Sequence, residues 1–379
     1  MSLAFPYLCR LTSHPHRGSA TAAEAAAARD LEKWLIQLGF AVELQPFRAP
    51  RDTLYLGPAF TLLAEVAAAG VGLWSRWLGL LLSLLVLAPM VGEMLGSRLD
   101  FDTILPKYPS QNVIARRAAR GGQRRTLVIS AHYDTQRASL LFHPRFAPRL
   151  QAYFYFGYIG LALIPLGIAL RQPAVLGAGA LLSLANATFL LICRATGGYI
   201  NGANDNGTGV ALALALAERL AADPLPETEL IILLTGCEEV GTRGMKRFLR
   251  DCALDRATTV FLNLDNLGGG RLTYLTGEGM IRPRPYSPRL RDHAERVAKE
   301  IGMAVAARGN LLLPTDGLVP SLAGYEALSF LAFEPGGALP DYHWYTDRLD
   351  RVDQELLAAT EFYLEKYIRS LGHAQVESS

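Results

Sequence analysis

Residues 229–239 read Glu-Leu-Ile-Ile-Leu-Leu-Thr-Gly-Cys-Glu-Glu. The run from Leu230 to Leu234 is apolar at every position, which fits a strand covered on both faces, as in a parallel sheet. Glu238 and Glu239 follow it directly, where a charge is costly unless a cation receives it. The stretch predicts a buried strand with a polar site beyond its carboxyl end. Working outward, residues 41–47, 112–116, 127–131, 259–264, 272–275 and 328–333 also read as strands. Helical patterns follow at 209–221, 244–250, 288–301 and 353–371. Residues 21–38 form an Ala-rich helix with Leu31, Trp34, Leu35 and Leu38 on one face and Gly39 as its stop. This alternation predicts an α/β fold, a mostly parallel mixed sheet with helices on both faces.

Of the 379 residues, 50% are hydrophobic and 19% charged, and the apolar excess lies in two blocks, 54–95 and 152–193. Each is about twice the ~20 residues that cross a hydrocarbon core. The first breaks at Ser75-Arg76 and the second at Arg171-Gln172-Pro173, with Trp74, Trp77, Tyr153, Tyr155 and Tyr158 near the ends of the arms. The blocks predict two helical transmembrane hairpins and a lipid bilayer as partner. They interrupt a single α/β domain assembled from 1–53, 96–151 and 194–379. Buried core helices or a helical lid are the alternative, since Glu65, Glu93 and Asn186 are costly in lipid.

The segment between the blocks carries ten basic side chains, from Arg98 to Arg149, against Asp100, Asp102 and Asp134. By the positive-inside rule the α/β domain is then expected on the cytoplasmic side of a multi-pass protein. Met1 to Arg17 lacks the pattern of a signal peptide. Cys9, Cys193, Cys237 and Cys252 lie far apart without C-x-x-C, so they read as free thiols in a reducing compartment. Lys+Arg total 37 against 35 Asp+Glu with no dense basic stripe, which argues against a nucleic-acid partner.

Ligands of open α/β sheets bind beyond the carboxyl ends of the strands, and metal-capable residues recur there. His132-Tyr133-Asp134 follows 127–131, Glu238-Glu239 follows 229–234, and Asp265 follows 259–264, while His343 comes within ten residues of 328–333. A fifth element, the Gly/Asn-rich loop 201–209, places Asp205 just before a helix. Each alone has an ordinary explanation: a surface imidazole, acids at a helix start, a turn or an N-cap. Five such coincidences at successive strand ends point to one site. Imidazole and carboxylate without thiolate suit zinc or a similar divalent ion, and the acid two residues after His132 can hold its other ring nitrogen.

The order H-x-D, G-A-N-D-N-G-T-G, E-E followed by G-T-R-G, L-D-N and a late Y-H resembles the M28 peptidases, two-zinc aminopeptidases, over about 19–47 and 111–372. The resemblance implies a zinc-exopeptidase fold with two Zn2+ ions. His132 and Asp265 would bind one ion, Glu239 and His343 the other, and Asp205 would bridge them. It further implies that Asp134 orients His132, that Glu238 is the general base, and that Tyr342 stabilises the substrate carbonyl. Peptides with a free N-terminus become the expected substrates. This chain departs from the family in having Cys237, read as a packing residue, where Gly commonly precedes E-E. It also places a hydrophobic block between His132 and Asp205.

No G-x-S-x-G, H-E-x-x-H or G-K-[ST] occurs, which removes three other hydrolase and nucleotide sites. Two further readings stay open: a single-zinc enzyme similar to glutaminyl cyclases, and an inactive scaffold on the peptidase fold. His14, His16, His143, His293 and His373 read as surface or packing residues, and Thr315-Asp316-Gly317 as a turn, with shaping of the substrate pocket as the alternative. The oligomeric state is not legible in the sequence.

Overall fold

The computed structural model describes residues 2–94, 105–279, 283–310 and 314–373. Leu95 and Arg98 of the expected first hairpin and its flank lie outside them, as do the side chains of Glu93 and His373. Contacts divide the chain into two units: Met1–Arg51, Lys107–Arg137 and Tyr199–Ser379, and Asp52–Pro106 with Ala138–Gly198.

The first unit starts with α1 (Ala4–Leu11), α2 (Ala22–Gln37) and β1 (Ala41–Ala49). The second unit contributes α3 (Leu56–Trp74) and α4 (Arg76–Met94), then, after β2 (Tyr108–Arg117) and β3 (Arg120–His132) of the first, α5 (Leu150–Leu170) and α6 (Pro173–Thr196). The first unit continues with α7 (Gly209–Ala222), β4 (Pro226–Thr235), α8 (Arg243–Asp251), β5 (Thr259–Leu264), β6 (Arg271–Glu278) and β7 (Arg284–Pro285). It ends with α9 (Pro288–Glu300), β8 (Ala306–Asn310), α10 (Leu318–Leu322), β9 (Glu326–Phe333) and α11 (Gln354–His373).

All the strands join one mixed sheet in the order β1-β2-β4-β3-β5-β9-β6-β7, with β8 beside β6. Its centre, β4-β3-β5-β9, is parallel, while β1, β2, β6 and β7 add antiparallel flanks. The parallel centre is what lines up the chemistry: His132 pairs with Thr235 in register, and Leu264 with Phe330. The carboxyl ends of β3, β4, β5 and β9 therefore open onto one edge.

The core explains the strand sequences. Ile231 to Leu234, Val128, Ile129, Phe261, Leu262 and Leu328 are fully buried, as the absence of alternation requires. Helix α7 is apolar all round and buried along most of its length, packing on β3, β4 and β5. Thr21 caps α2 by accepting the Glu24 amide, and Leu31 and Leu35 carry its buried face. The short α1, absent from the sequence reading, buries Ala4, Leu8 and Leu11 and packs on α7 and α11.

In the second unit the helices begin and end close to the expected arms. Three of them, α3, α5 and α6, are long and apolar enough to cross a membrane, whereas the apolar stretch of α4 is shorter, Arg76–Gly92. Glycines allow close approach: a Cβ on Gly79 would stand 2.4 Å from Gly72 Cα, and one on Gly167 would stand 2.5 Å from the Leu176 amide. Glu65 is fully buried and accepts the Ser83 hydroxyl at 2.8 Å.

Candidate metal centre

The edge formed by β3, β4, β5 and β9 collects every metal-capable residue expected from the sequence. His132 closes β3, and Asp265 is the residue after β5, with its amide still donating to Phe330 at 3.0 Å. Asp205 sits in the loop before α7, where Asn206 bolts the chain to the end of β5. The Asn206 amide group donates to the Leu264 carbonyl at 2.8 Å, and its Oδ1 accepts the Gly209 and Asn266 amides. His343, at φ +49, and Asp341, at φ +54, hold the left-handed backbone that side chains disfavour.

Two groups of three potential ligands form, His132–Asp205–Asp265 and Asp205–Glu239–His343, and they share Asp205. Asp205 Oδ1 stands 3.3 Å from His132 Nε2, and Oδ2 stands 3.0 Å from His343 Nε2. Asp265 Oδ1 is 3.6 Å from His132 Nε2, and Glu239 Oε2 is 3.1 Å from His343 Nε2. Ligands bound ~2.1 Å from a tetrahedral zinc stand about 3.4 Å apart, so all four separations suit a shared ion. The Glu239 Oε1 atom is buried without a hydrogen-bond partner, which also fits a cation-binding role.

A second layer holds these groups. Asp134 accepts the Ser19 hydroxyl at 2.6 Å and the amides of Glu238 and Glu239 at 3.0 and 3.3 Å, with Oδ1 3.5 Å from His132 Nδ1. It therefore ties down the Glu238–Glu239 turn, while its main-chain carbonyl stands 3.2 Å from His132 Nδ1. Gln136 donates to Glu239 Oε2, and Asn266 to Asp265 Oδ1. Beneath the turn, Glu24 accepts the amide of Cys237 at 3.1 Å and its thiol at 3.3 Å. Cys237 is fully buried at φ +55, which explains why glycine suits this position.

Glu238 lies beside the ligands, and among the described residues its carboxylate makes no hydrogen bond. Burial pushes its pKa well above the usual carboxylate range, against the pull of His132 and with the push of Asp316, Glu239 and Asp265. Burial raises Glu239 to about 7. His343 is raised to about 10, the attraction of Glu239 and Asp205 outweighing burial. In Asp205 the two imidazoles outweigh burial and hold the carboxyl below its ordinary value. Tyr342 stacks on His343 with ring centroids 3.9 Å apart, and burial followed by the surrounding acids raises its phenol well above its usual value.

One residue near the site is ranked too low by the sequence reading, which prefers a turn to a part in the substrate pocket. Asp316, read as part of a turn, is fully buried, accepts the Thr235 hydroxyl and leaves Oδ1 unpaired; burial lifts it to about 7, with His132, Asp134 and Asp265 acting on it. Its only sequence signal is an acid just ahead of an apolar strand. The remaining histidines stay outside both groups: His14 pairs with Asp30, His16 stacks on Tyr199, His143 packs on Phe146, and His293 contacts the Tyr367 carbonyl.

With this geometry in hand, comparisons place the chain. Its fold is similar to that of the aminopeptidase from Aneurinibacillus sp. strain AM-1, at a TM-score of 0.59 and 15% identity, covering 96% of this chain and 92% of that one. A zinc aminopeptidase from Bacillus subtilis matches at 0.59 and 15%, covering 97% and 94%. The glutaminyl cyclase of Porphyromonas gingivalis matches at 0.59 and 15%, covering 98% and 100%. No curated protein matches the sequence. The model of peptidase family M28 matches residues 112–368, a span that contains all five metal-capable side chains, and the chain belongs to that family.

Proposed function

We propose that this chain is a membrane-anchored, zinc-dependent aminopeptidase that removes N-terminal residues from peptides. The observation that carries the reading is the shared carboxylate, Asp205, which turns one oxygen toward each imidazole between two three-ligand groups. Two Zn2+ ions fit: His132 and Asp265 would hold one, Glu239 and His343 the other, with Asp205 common to both. Zinc bound there would supply Lewis acidity toward a carbonyl and lower the pKa of water.

The remaining chemistry belongs to the chain. Glu238, whose carboxylate has no hydrogen-bond partner among the described residues and which is adjacent to the ligands, takes the proton of the attacking water at a carboxylate oxygen and returns it to the departing amine. Tyr342 keeps its proton near neutral pH and donates it as a hydrogen bond to the developing oxyanion. Asp134 orients His132 and the glutamate turn. The crowd of acids, Asp316 included, favours a substrate that brings its own cation, a free N-terminal ammonium. Helices α3, α5 and α6 support anchoring, with α4 completing two hairpins between the segments of a single α/β catalytic domain. The basic flank supports a cytoplasmic catalytic side.

The test is release of N-terminal residues from aminoacyl reporters and short peptides by the detergent-purified protein, with its zinc content measured alongside. We expect two zinc ions per chain, activity lost on chelation, and a loss of ~10²–10⁴-fold in kcat for Glu238→Gln with zinc retained. One zinc with cyclisation of N-terminal glutamine would favour the cyclase reading, which the likeness to a glutaminyl cyclase supports equally at the level of fold. A protein with neither metal nor turnover would be the scaffold.

A further inference from the structure

Arg17 lies between α1 and α2 and is completely buried, although no carboxylate pairs with it directly among the described residues. Its guanidinium spends its donors on main-chain carbonyls: Nε to Tyr133 at 2.6 Å, Nη1 to Asn201 at 2.8 Å and Nη2 to Gly202 at 2.8 Å. Tyr133 is the residue after His132, and Asn201 and Gly202 open the loop that carries Asp205. The same loop is held at its middle by Asp347, whose Oδ1 accepts the Asn204 amide at 2.6 Å and whose Oδ2 accepts the Asp205 amide at 3.0 Å. Asn201 returns the contact, donating to the carbonyls of Thr12 and His14 at 3.0 Å each.

The arrangement is selective. Burial pulls the guanidinium down to about 10, with Asp347, Asp134 and Asp205 opposing, so it stays charged at neutral pH. A buried charge of this kind survives only where fixed dipoles replace water, and here those dipoles are the carbonyls of the two loops that present His132 and Asp205. A planar fork can join three carbonyls from two segments; a lysine ammonium, a point charge on a flexible stem, cannot reproduce that geometry. Asp205 has to offer one oxygen to each imidazole, so small errors in loop position are felt at both.

We propose that Arg17 and Asp347 are positioning residues that grip the Asp205 loop, Arg17 by the carbonyls at its start and Asp347 by the amides of Asn204 and Asp205 at its middle, and so set zinc affinity without touching the ions. The inference rests on the two-zinc reading above.

The experiment measures zinc affinity by chelator competition and zinc stoichiometry on the full-length protein in detergent, for wild type, Arg17→Lys, Asp347→Asn and Arg219→Ala. Arg219 pairs with the buried Glu361 and serves as the control for simple destabilisation. Arg17→Lys and Asp347→Asn should each weaken zinc binding at least tenfold and lower kcat more than they change KM. Arg219→Ala should lower the melting temperature while keeping wild-type zinc affinity. Folded Arg17→Lys and Asp347→Asn proteins with wild-type affinity and stoichiometry would overturn the proposal. If Arg17→Lys does not fold, Asp347→Asn decides by the same criterion. A wild type that binds no zinc would overturn the metallopeptidase reading itself, an outcome distinct from equal binding by wild type and variants.

Discussion

Cys237 shows how one backbone angle shapes the site. At φ +55 it turns the chain out of β4 so that the amides of the next two residues meet Asp134. A side chain in that region is strained, and a β-branched one far more so. The thiol fills a small buried cluster with Ala20, Ala49 and Val240 and donates to Glu24, which offsets part of the strain. Replacement by glycine exchanges relieved strain for a small void. We expect Cys237→Gly to stay within about 1 kcal/mol of wild type in chemical denaturation, and Cys237→Val to lose ~2–3 kcal/mol. Equal stability of both variants would show that the turn does not need this backbone angle. Asp316 and Arg17 mark where residue-level reading stops. The chemistry of Asp316 depends on a hydroxyl 81 positions away, and the partners of Arg17 lie 116 to 185 positions away. A local pattern cannot announce such contacts, whereas the five metal-capable residues were legible because each sits where a recognisable strand or loop ends.

At the scale of elements, the turn between β4 and α8 is built around Gly244. A Cβ there would stand 2.3 Å from Asn112 Oδ1 and 2.5 Å from the Gly236 carbonyl. Asn112 itself ties the two ends together, donating to the Gly244 carbonyl at 2.8 Å and accepting the Gly236 amide. Gly244→Ala should therefore shift the glutamate turn. The expected cost is ~1–3 kcal/mol by denaturant titration, with a fall in kcat exceeding that of a surface alanine substitution. The strands with continuous apolar character, β3, β4, β5 and β9, were plain in the sequence because burial on both faces leaves no other pattern. The two edge strands β7 and β8 were not: β7 is two exposed residues, and β8, Ala306–Asn310, is mostly outside the core and lacks β-branched side chains. Helix α1 is too short to carry a clear periodic signal, although Ala4, Leu8 and Leu11 stand at helical spacing. The apolar arms α3, α5 and α6 were legible from length alone. If they cross a bilayer as proposed, alkaline carbonate should leave the protein in the membrane pellet and detergent should release it; carbonate release would remove the anchoring reading.

At the scale of the whole molecule, the site concentrates titrating groups most of whose shifts act in one direction. Burial raises Glu239 and Asp316 to about 7, and it raises Glu238 and Asp265 as well. Without metal, the folded protein keeps protons on these acids that the unfolded chain sheds above about 4.5, so their contribution to stability falls as pH rises from there to about 7. The imidazoles add the same sign in a later window. His343, raised to about 10, contributes stability that is fully present below about 6.5 and is lost as pH climbs toward 10; His132, also raised, behaves likewise. Asp205, held below its ordinary value, works in the opposite sense only in strong acid. Metal-free protein should therefore lose stability steadily from pH 5 to pH 9. Zinc reverses the preference, because it binds the deprotonated carboxylates and neutral imidazoles and releases the protons they carried. The stabilisation by saturating zinc should grow with pH. Thermal unfolding of chelated and zinc-loaded protein should show a gap several degrees wider at pH 8 than at pH 6, at roughly 2 °C per kcal/mol for a protein of this size. His343→Ala, which removes one imidazole and one set of released protons, should flatten that slope. A gap that is constant across the range would mean that these acids and imidazoles do not bind the metal.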